Sequence, residues 1–479
     1  MAESTVAPVD EGRDPRRRAK PRRTAGARSG RKTAALGRRA VALSHFYGGK
    51  VETVPKVPVR SLRDFALWYT PGVAEVSRAI QADPDRSFDL TGRWNTIAIV
   101  TDGSRVLGLG DIGPRAALPV MEGKALLFKW LGGVDAVPLP IHAPTPDAFL
   151  STVEAIAPAF GGINLEDIAS PKCFGILEEL QRRLPIPVWH DDQLGTAAST
   201  IAGLLNALEL THRSMREIRT VLLGAGAANL VTARLLLALG HDPHRLSVVD
   251  QRGVLDAERD DVDELMLRNP WKYRVALQTD GGGRSGDLAH AVEGADVLLA
   301  ASTPDPNTIR PEHVRAMAKD PIVFALANPV PEIWPEVATA AGAAIVATGR
   351  SDFPNQVNNS LIFPAVFRGV LDARARSIPD EIVLAAAREL AAHARDRGLS
   401  ASHLLPTMEE VEVFPHVAAA VGEASVRLGI ARRALSRDEF LERARALMQR
   451  SERLVRALAR ARLTPPMPSA KSLEDRSAP

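Results

Sequence analysis

Apolar and polar positions along the chain repeat with two different periods, and each change of period marks an element. Helix-like spacing begins near Ala40 and runs to Phe46. Residues 61–80 predict a helix, a YTPG turn and a second helix. IAIV (97–100) is a short continuous apolar run that predicts a buried strand, followed by a glycine-dense loop at 101–113. Residues 115–131 return to helical spacing, and VDAVPLPI predicts another strand. The character changes from about residue 188. TVLLGAGAAN (220–229) is an apolar strand that runs into a glycine turn, a helical pattern follows to Leu239, and LSVVD (246–250) is the next strand. ADVLLAAS, PIVFALAN and AAIVATG supply three more apolar runs of strand length, separated by helical or loop segments. Strands alternating with helices predict parallel sheets covered on both faces, hence an α/β fold. Residues 379–400 and 436–462 have amphipathic helical spacing; the second is Arg-rich and suits either a subunit interface or a solvated face. No fixed repeat is present.

The expected organisation is a tail over 1–40, an N-terminal α/β catalytic domain over 41–187, and a Rossmann-like, doubly wound parallel-sheet nucleotide-binding domain over 188–430. An Arg-rich helix and tail complete the chain over 431–479.

Charge changes this picture only at the N-terminus. The 479 residues carry a formal net charge of +3, but residues 1–40 alone carry +8, so the body is net acidic. The tail has too few apolar residues to bury a core and is expected to be disordered. Its basicity suits contact with nucleic acid or another anionic surface, with a plain solvated arm the stronger reading, and the acidic body argues against a nucleic-acid binder. No apolar run approaches the ~20 residues of a membrane span, and no apolar segment follows the N-terminal charges as in a secretory signal. The single cysteine, Cys173, excludes an intrachain disulfide and reads as a small buried side chain. These features predict a cytoplasmic enzyme or binding protein.

Gly224 and Gly226 stand where a dinucleotide-binding turn requires glycine. The first permits the tight turn; the second lets the backbone approach a pyrophosphate, whose charge meets the free N–H groups of the helix opening at Ala227. Asn229 occupies the third glycine position, where a side chain is expected to loosen the helix–strand contact. Asp250 ends the next strand and suits the ribose 2′-hydroxyl of NAD, while Arg252 suits the 2′-phosphate of NADP. Both cofactors remain open on these residues.

Two adjacent acidic pairs stand out, Glu166-Asp167 in GGINLEDI and Asp191-Asp192 in WHDDQLGTA. Adjacent carboxylates repel unless a cation or hydrogen-bond donors compensate, and converging oxygens suit Mg²⁺ or Mn²⁺. Water-facing caps at helix starts are the equal alternative. Lys124 lies among apolar residues in PVMEGKALLFKWL, where an amine can lose its proton near neutral pH and act as a base. Tyr69 lies in LWYTPGVA, beside a proline turn that would fix its hydroxyl. Taken singly, Lys124 and Tyr69 are better read as ordinary structural side chains.

Taken together, YTPGVAEVSRAI, VTDGSRVLGLGDIGPRAALPVMEGKALLF, FGGINLEDIASPKCF, WHDDQLGTAAST, LLGAGAAN, ANPVPEI and TGRSDFPNQVNNSLIFPAVFRGVL resemble the malic enzyme family, particularly its short bacterial branch. These motifs occur in the family's order from about residue 41 to 375. The resemblance implies oxidative decarboxylation of L-malate to pyruvate with NAD or NADP and Mg²⁺ or Mn²⁺, in a homodimer or higher homo-oligomer. It places the proton-donating tyrosine at Tyr69, the catalytic lysine at Lys124 with Asp191 supporting it, and the metal carboxylates at Glu166, Asp167 and Asp192. Substrate carboxylates fall to Asn328, Asn359 and Arg105, with Asn328 also beside the cofactor. A malolactic-type enzyme, which would release lactate, and a non-catalytic nucleotide sensor are the competing readings. The chain departs from the family pattern at Leu194, where histidine is usual, at Trp68, and at Gly175 and Ile176. Leu194 is expected to remove a polar group beside the metal loop, and Trp68 to add bulk near Tyr69.

Overall fold

The computed structural model describes residues 25–469, with side chains from residue 35. The described residues divide into two compact units, one of residues 25–50 with 462–469 and one of residues 51–461. In the smaller unit, a helix over Ala25–Tyr47 takes in residues 25–40 of the stretch expected to be a disordered tail, together with the helical spacing read near Ala40–Phe46. Ala, Arg and Lys are strong helix formers, so a segment too polar for a core can still be helical. Residues 1–24 of that expectation lie outside the described residues. The C-terminal segment is tied to this helix: the Tyr47 hydroxyl donates to the Pro465 carbonyl at 3.2 Å.

The larger unit contains two sheets. The first comprises β1 (Thr96–Thr101), β2 (Asp135–Pro140), β3 (Gly162–Leu165) and β4 (Val188–His190), in the order β2-β1-β3-β4 and all parallel. The boundary expected at residue 188 therefore falls inside this sheet, because Val188, Trp189 and His190 are wholly buried against β3. The second sheet comprises β5 (Thr220–Leu223), β6 (Leu246–Asp250), β7 (Gly253–Val254), β8 (Val297–Ala300), β9 (Ile322–Ala325) and β10 (Ile345–Thr348). Its order is β10-β9-β8-β5-β6-β7, parallel except for the short hairpin strand β7. This is the doubly wound arrangement, with the crevice where strand order reverses beside β5. Every residue of β5, β8 and β9 is buried, as parallel strands covered on both faces must be.

The Arg-rich helix Arg437–Arg460 belongs to the larger unit. Phe440 and Ala444 are buried, Ser451 donates to the Lys129 carbonyl at 2.8 Å, and Arg443 meets Asp372 at 2.7 Å. Its apolar stripe thus closes on its own chain. Among the described residues no helix is long and apolar enough to cross a membrane. Residues 51–76 are different: Val59, Leu62, Phe65, Leu67 and Trp68 are all exposed, an apolar row left uncovered by the described residues.

Candidate active site and nucleotide crevice

The parallel register of β3 and β4 places Leu165 opposite His190, so both acidic pairs leave the sheet at the same edge. Glu166 and Asp167 follow β3; Asp191 and Asp192 follow β4 in a single wide helical turn, Asp191–Gly195, that feeds the helix Thr196–Leu210. Ligand oxygens of Glu166, Asp167 and Asp192 lie within 4.8 Å of one another. Asp191 is fully buried, so the water-facing cap reading fails for it.

Lys124 projects from the helix Gly113–Gly132 into this cluster. Its ammonium lies 2.8 Å from Glu166 Oε1, contacts Asp191 Oδ2, and sits 4.3 Å from the centre of the Phe363 ring. Asp191 is clamped further: Oδ1 accepts from Trp189 Nε1 at 3.0 Å, and Oδ2 accepts from Asn359 Nδ2 at 2.6 Å. A Cβ on residue 195 would stand 2.0 Å from Asp191 Oδ1, so only glycine allows this acid its position. Glu166 Oε2 accepts from Asn164 Nδ2 at 2.9 Å, and Asp192 Oδ2 accepts from the Asp167 backbone N–H at 2.9 Å.

The electrostatics differ from the sequence expectation at Lys124. Burial alone would push its amine down, but the carboxylates of Asp191 and Glu166 outweigh burial and hold it above the usual lysine range. Its neighbours on the helix are apolar, yet the atoms that face the amine are acidic. The acids shift upward. Burial and the Asp192 carboxylate beside it push Asp167 up to about 7. Burial raises Glu166 well above its ordinary range despite Lys124, and raises Asp192 in the same direction. Asp167 Oδ2 and both ring nitrogens of His190 are buried and have no hydrogen-bond partner among the described residues. An anionic cluster with an unpartnered carboxylate oxygen fits a divalent cation with oxygen ligands.

Arg105 follows β1 on an exposed loop whose backbone N–H donates to the Asp167 carbonyl at 3.1 Å. Its positive charge lowers the proton affinity of Asp192, against the effect of burial. Tyr69 is 68% exposed, and its hydroxyl has no partner among the described residues, so the proline turn does not fix it. Trp68 does not crowd it through a shared bond: its indole N–H donates to the Pro58 carbonyl at 3.2 Å. Leu194 points into the hydrophobic core. Gly175 faces the Trp271 ring, which stacks on Phe174 at 5.0 Å between centroids, and Ile176 is buried. Cys173 is buried, and burial pushes its thiol up to about 12, in keeping with a packing role.

At the nucleotide crevice, Gly224 has φ +98°, and a Cβ there would stand 2.5 Å from the Ala301 carbonyl at the end of β8. Gly226 has open space in the Cβ direction, leaving its backbone approachable. Ala227 opens the helix Ala227–Ala238. Asn229 does not loosen the helix–strand contact. Its Nδ2 donates to both the Leu223 and Gly224 carbonyls at 2.9 Å, so a hydrogen-bonded tether replaces the close approach a glycine would give. Asp250 and Arg252 lie at the β6–β7 turn. Asn328 is exposed just beyond β9, with its Nδ2 2.7 Å from where a Cβ on Gly349 would stand.

Several residues escaped the sequence reading. Asn164, Trp189 and His190 flank the acidic pairs in the same motifs, but only the fold turns them onto the carboxylates. Burial pushes His190 down to about 3, so it stands neutral behind the acids. Glu332, in the ANPVPEI stretch, is fully buried and accepts from the backbone N–H groups of Ser302 at 2.7 Å and Ala327 at 3.0 Å. It ties together the loops after β8 and β9.

Two family models match the chain: the malic enzyme N-terminal domain over residues 48–145, and the malic enzyme NAD-binding domain over residues 194–426. The chain is 47% identical over 386 residues to a NAD-dependent malic enzyme of Geobacillus stearothermophilus, covering 81% of this chain and 78% of that one. It is 46% identical over 399 residues to a bifunctional malic/malolactic enzyme of Bacillus subtilis, covering 83% and 95%. Among solved structures, a malic enzyme of Entamoeba histolytica superposes with a TM-score of 0.91 at 40% identity, covering 95% of each chain.

Proposed function

The chain belongs to the malic enzyme family, and on that premise we propose that it oxidises L-malate with a nicotinamide dinucleotide and decarboxylates the product to pyruvate. One observation carries this reading. Three carboxylates converge within 4.8 Å beside an amine that two acids hold in place.

Glu166, Asp167 and Asp192 would hold Mg²⁺ or Mn²⁺, which when bound supplies Lewis-acid polarisation of the substrate oxygens. The remaining work falls to side chains of this protein. Lys124 would take the proton of the malate C2 hydroxyl as the C2 hydride passes to the nicotinamide. The Asp191 and Glu166 carboxyl groups that face its amine hold the proton on it. A cation held by Glu166 would draw that carboxylate away from the amine and lower the amine's proton affinity toward a base's range. Asp191, clamped by Trp189 and Asn359, fixes the amine's position. Loss of carbon dioxide breaks the bond from C3 to its carboxyl carbon, and the enol formed takes a proton at C3 to give pyruvate.

Tyr69 is the donor for that last step, as its motif suggests. No hydrogen bond joins its exposed hydroxyl to Lys124 in a single copy, so the segment that carries it must be brought to a site. The uncovered apolar row at residues 59–68 supports a homodimer or larger homo-oligomer in which that happens. Arg105 and Asn328 suit the substrate carboxylates, as does Asn359, which keeps a second amide hydrogen free of Asp191. We place the enzyme in the cytoplasm.

The bifunctional Bacillus subtilis relative keeps a malolactic outcome in view. An assay with malate, Mn²⁺ and either nucleotide separates the two. The malic reading expects reduced nucleotide and pyruvate to accumulate together; lactate without reduced nucleotide would overturn it.

A further inference from the structure

The family includes relatives named for each nucleotide, but the turn after β6 is built for one of them. Asp250 ends β6, where the adenosine ribose of a dinucleotide lies in this fold. Its Oδ1 accepts from Arg259 Nη1 and from the Arg252 backbone N–H, both at 2.9 Å. Its Oδ2 accepts from Lys272 Nζ at 2.9 Å and Arg259 Nη2 at 3.3 Å. Arg259 is itself consumed: Nε and Nη2 donate to Asp261 at 2.6 and 2.7 Å, and Nη1 also reaches the Gly253 carbonyl at 3.5 Å. Arg252, whose side chain is exposed, pairs with Asp261 at 2.9 Å and lies 3.7 Å from Asp260.

Every cation at this turn therefore already faces a carboxylate: Arg252, Arg259 and Lys272 against Asp250, Asp260 and Asp261. The surrounding segment adds Asp256, Glu258, Asp263 and Glu264. A ribose 2′-hydroxyl is neutral and can replace Lys272, the more exposed of Asp250's two cationic partners. A 2′-phosphate brings between one and two negative charges to a half-buried carboxylate, and the one guanidinium with donors to spare, that of Arg252, is already paired with Asp261.

We propose that this chain selects NAD over NADP, and that Arg259, held by Asp261, is the positioning residue that keeps the Asp250 carboxylate fixed at the ribose end of the crevice. The proposal rests on the crevice being a dinucleotide site, and its test does not need malate turnover. The full chain is titrated with NADH and with NADPH, without malate or metal, following nicotinamide fluorescence. NADH is expected to bind ~tenfold or more tightly than NADPH. Asp261→Asn frees donors on Arg259 and removes a charge, and should shrink that ratio ~fivefold or more by strengthening NADPH. Asp250→Asn should shrink it as well. A merely structural loss would weaken both nucleotides together and leave the ratio where it was. Binding of NADPH as tight as NADH by the unaltered chain, binding of neither, or an unmoved ratio in both variants would overturn the proposal. A chain that prefers NADH yet never turns over malate would instead overturn the proposed reaction and leave this selectivity standing.

Discussion

Lys124 shows how far a residue's setting can depart from its sequence neighbours. The apolar helix around it suggested a weakly basic amine, whereas the atoms within reach are Glu166 and Asp191, and these hold the proton on. Lys124→Ala should lower turnover ~10²–10⁴-fold while nucleotide fluorescence titration still shows binding; undiminished turnover would remove it from the mechanism. Asp167 supplies a pH signature. Its carboxyl is held at about 7, above the ordinary 3.8, so the folded protein retains a proton that the unfolded chain releases. The stability this contributes is full below the unfolded value and is lost as pH rises through about 7. A divalent cation replaces that proton. Mn²⁺ should therefore raise the thermal midpoint more at about pH 8 than at about pH 5, relative to chelator-treated protein. An equal increment at both would argue against Asp167 as a ligand.

Among elements, the turn Asp191–Gly195 matters most, because it sends one acid inward to Lys124 and the next outward to the carboxylate cluster. Adjacent side chains on a helical turn point about 100° apart, which lets neighbouring acids face different partners. Gly195 makes the turn possible through close approach, since a Cβ would fall 2.0 Å from the Asp191 carboxylate. Gly195→Ala should displace Asp191 and cost ~10²-fold or more in kcat, read against a thermal midpoint that shows the chain still folded. At the other sheet, Asn229 ties its helix to the Leu223 and Gly224 carbonyls. The glycine turn was legible in sequence as strand, G-x-G, helix. That a third position could be filled by a tether was not, because the pattern carries no information on which carbonyls lie within reach.

For the whole molecule, the uncovered apolar row from Val59 to Trp68 is the feature a single copy leaves unresolved. Burying one Phe or Leu side chain contributes ~1.5–3 kcal/mol, so Phe65→Ser with Leu67→Ser should shift sedimentation toward the monomer. If Tyr69 acts only within the oligomer, turnover should fall in step with that shift; a monomer of full activity would exclude the arrangement. Parallel strands, the glycine turn, the acidic pairs and the motif order were all readable along the chain, because each is a local pattern with a fixed period or spacing. Tertiary structure alone decided what faces what. The register of β3 and β4 brings residues 166 and 191 together, the helix at 113–132 adds an amine, and Asn359 arrives from 168 positions away. Proton affinities follow from those distances and from burial, which depend on packing in three dimensions and leave no trace in the order of residues.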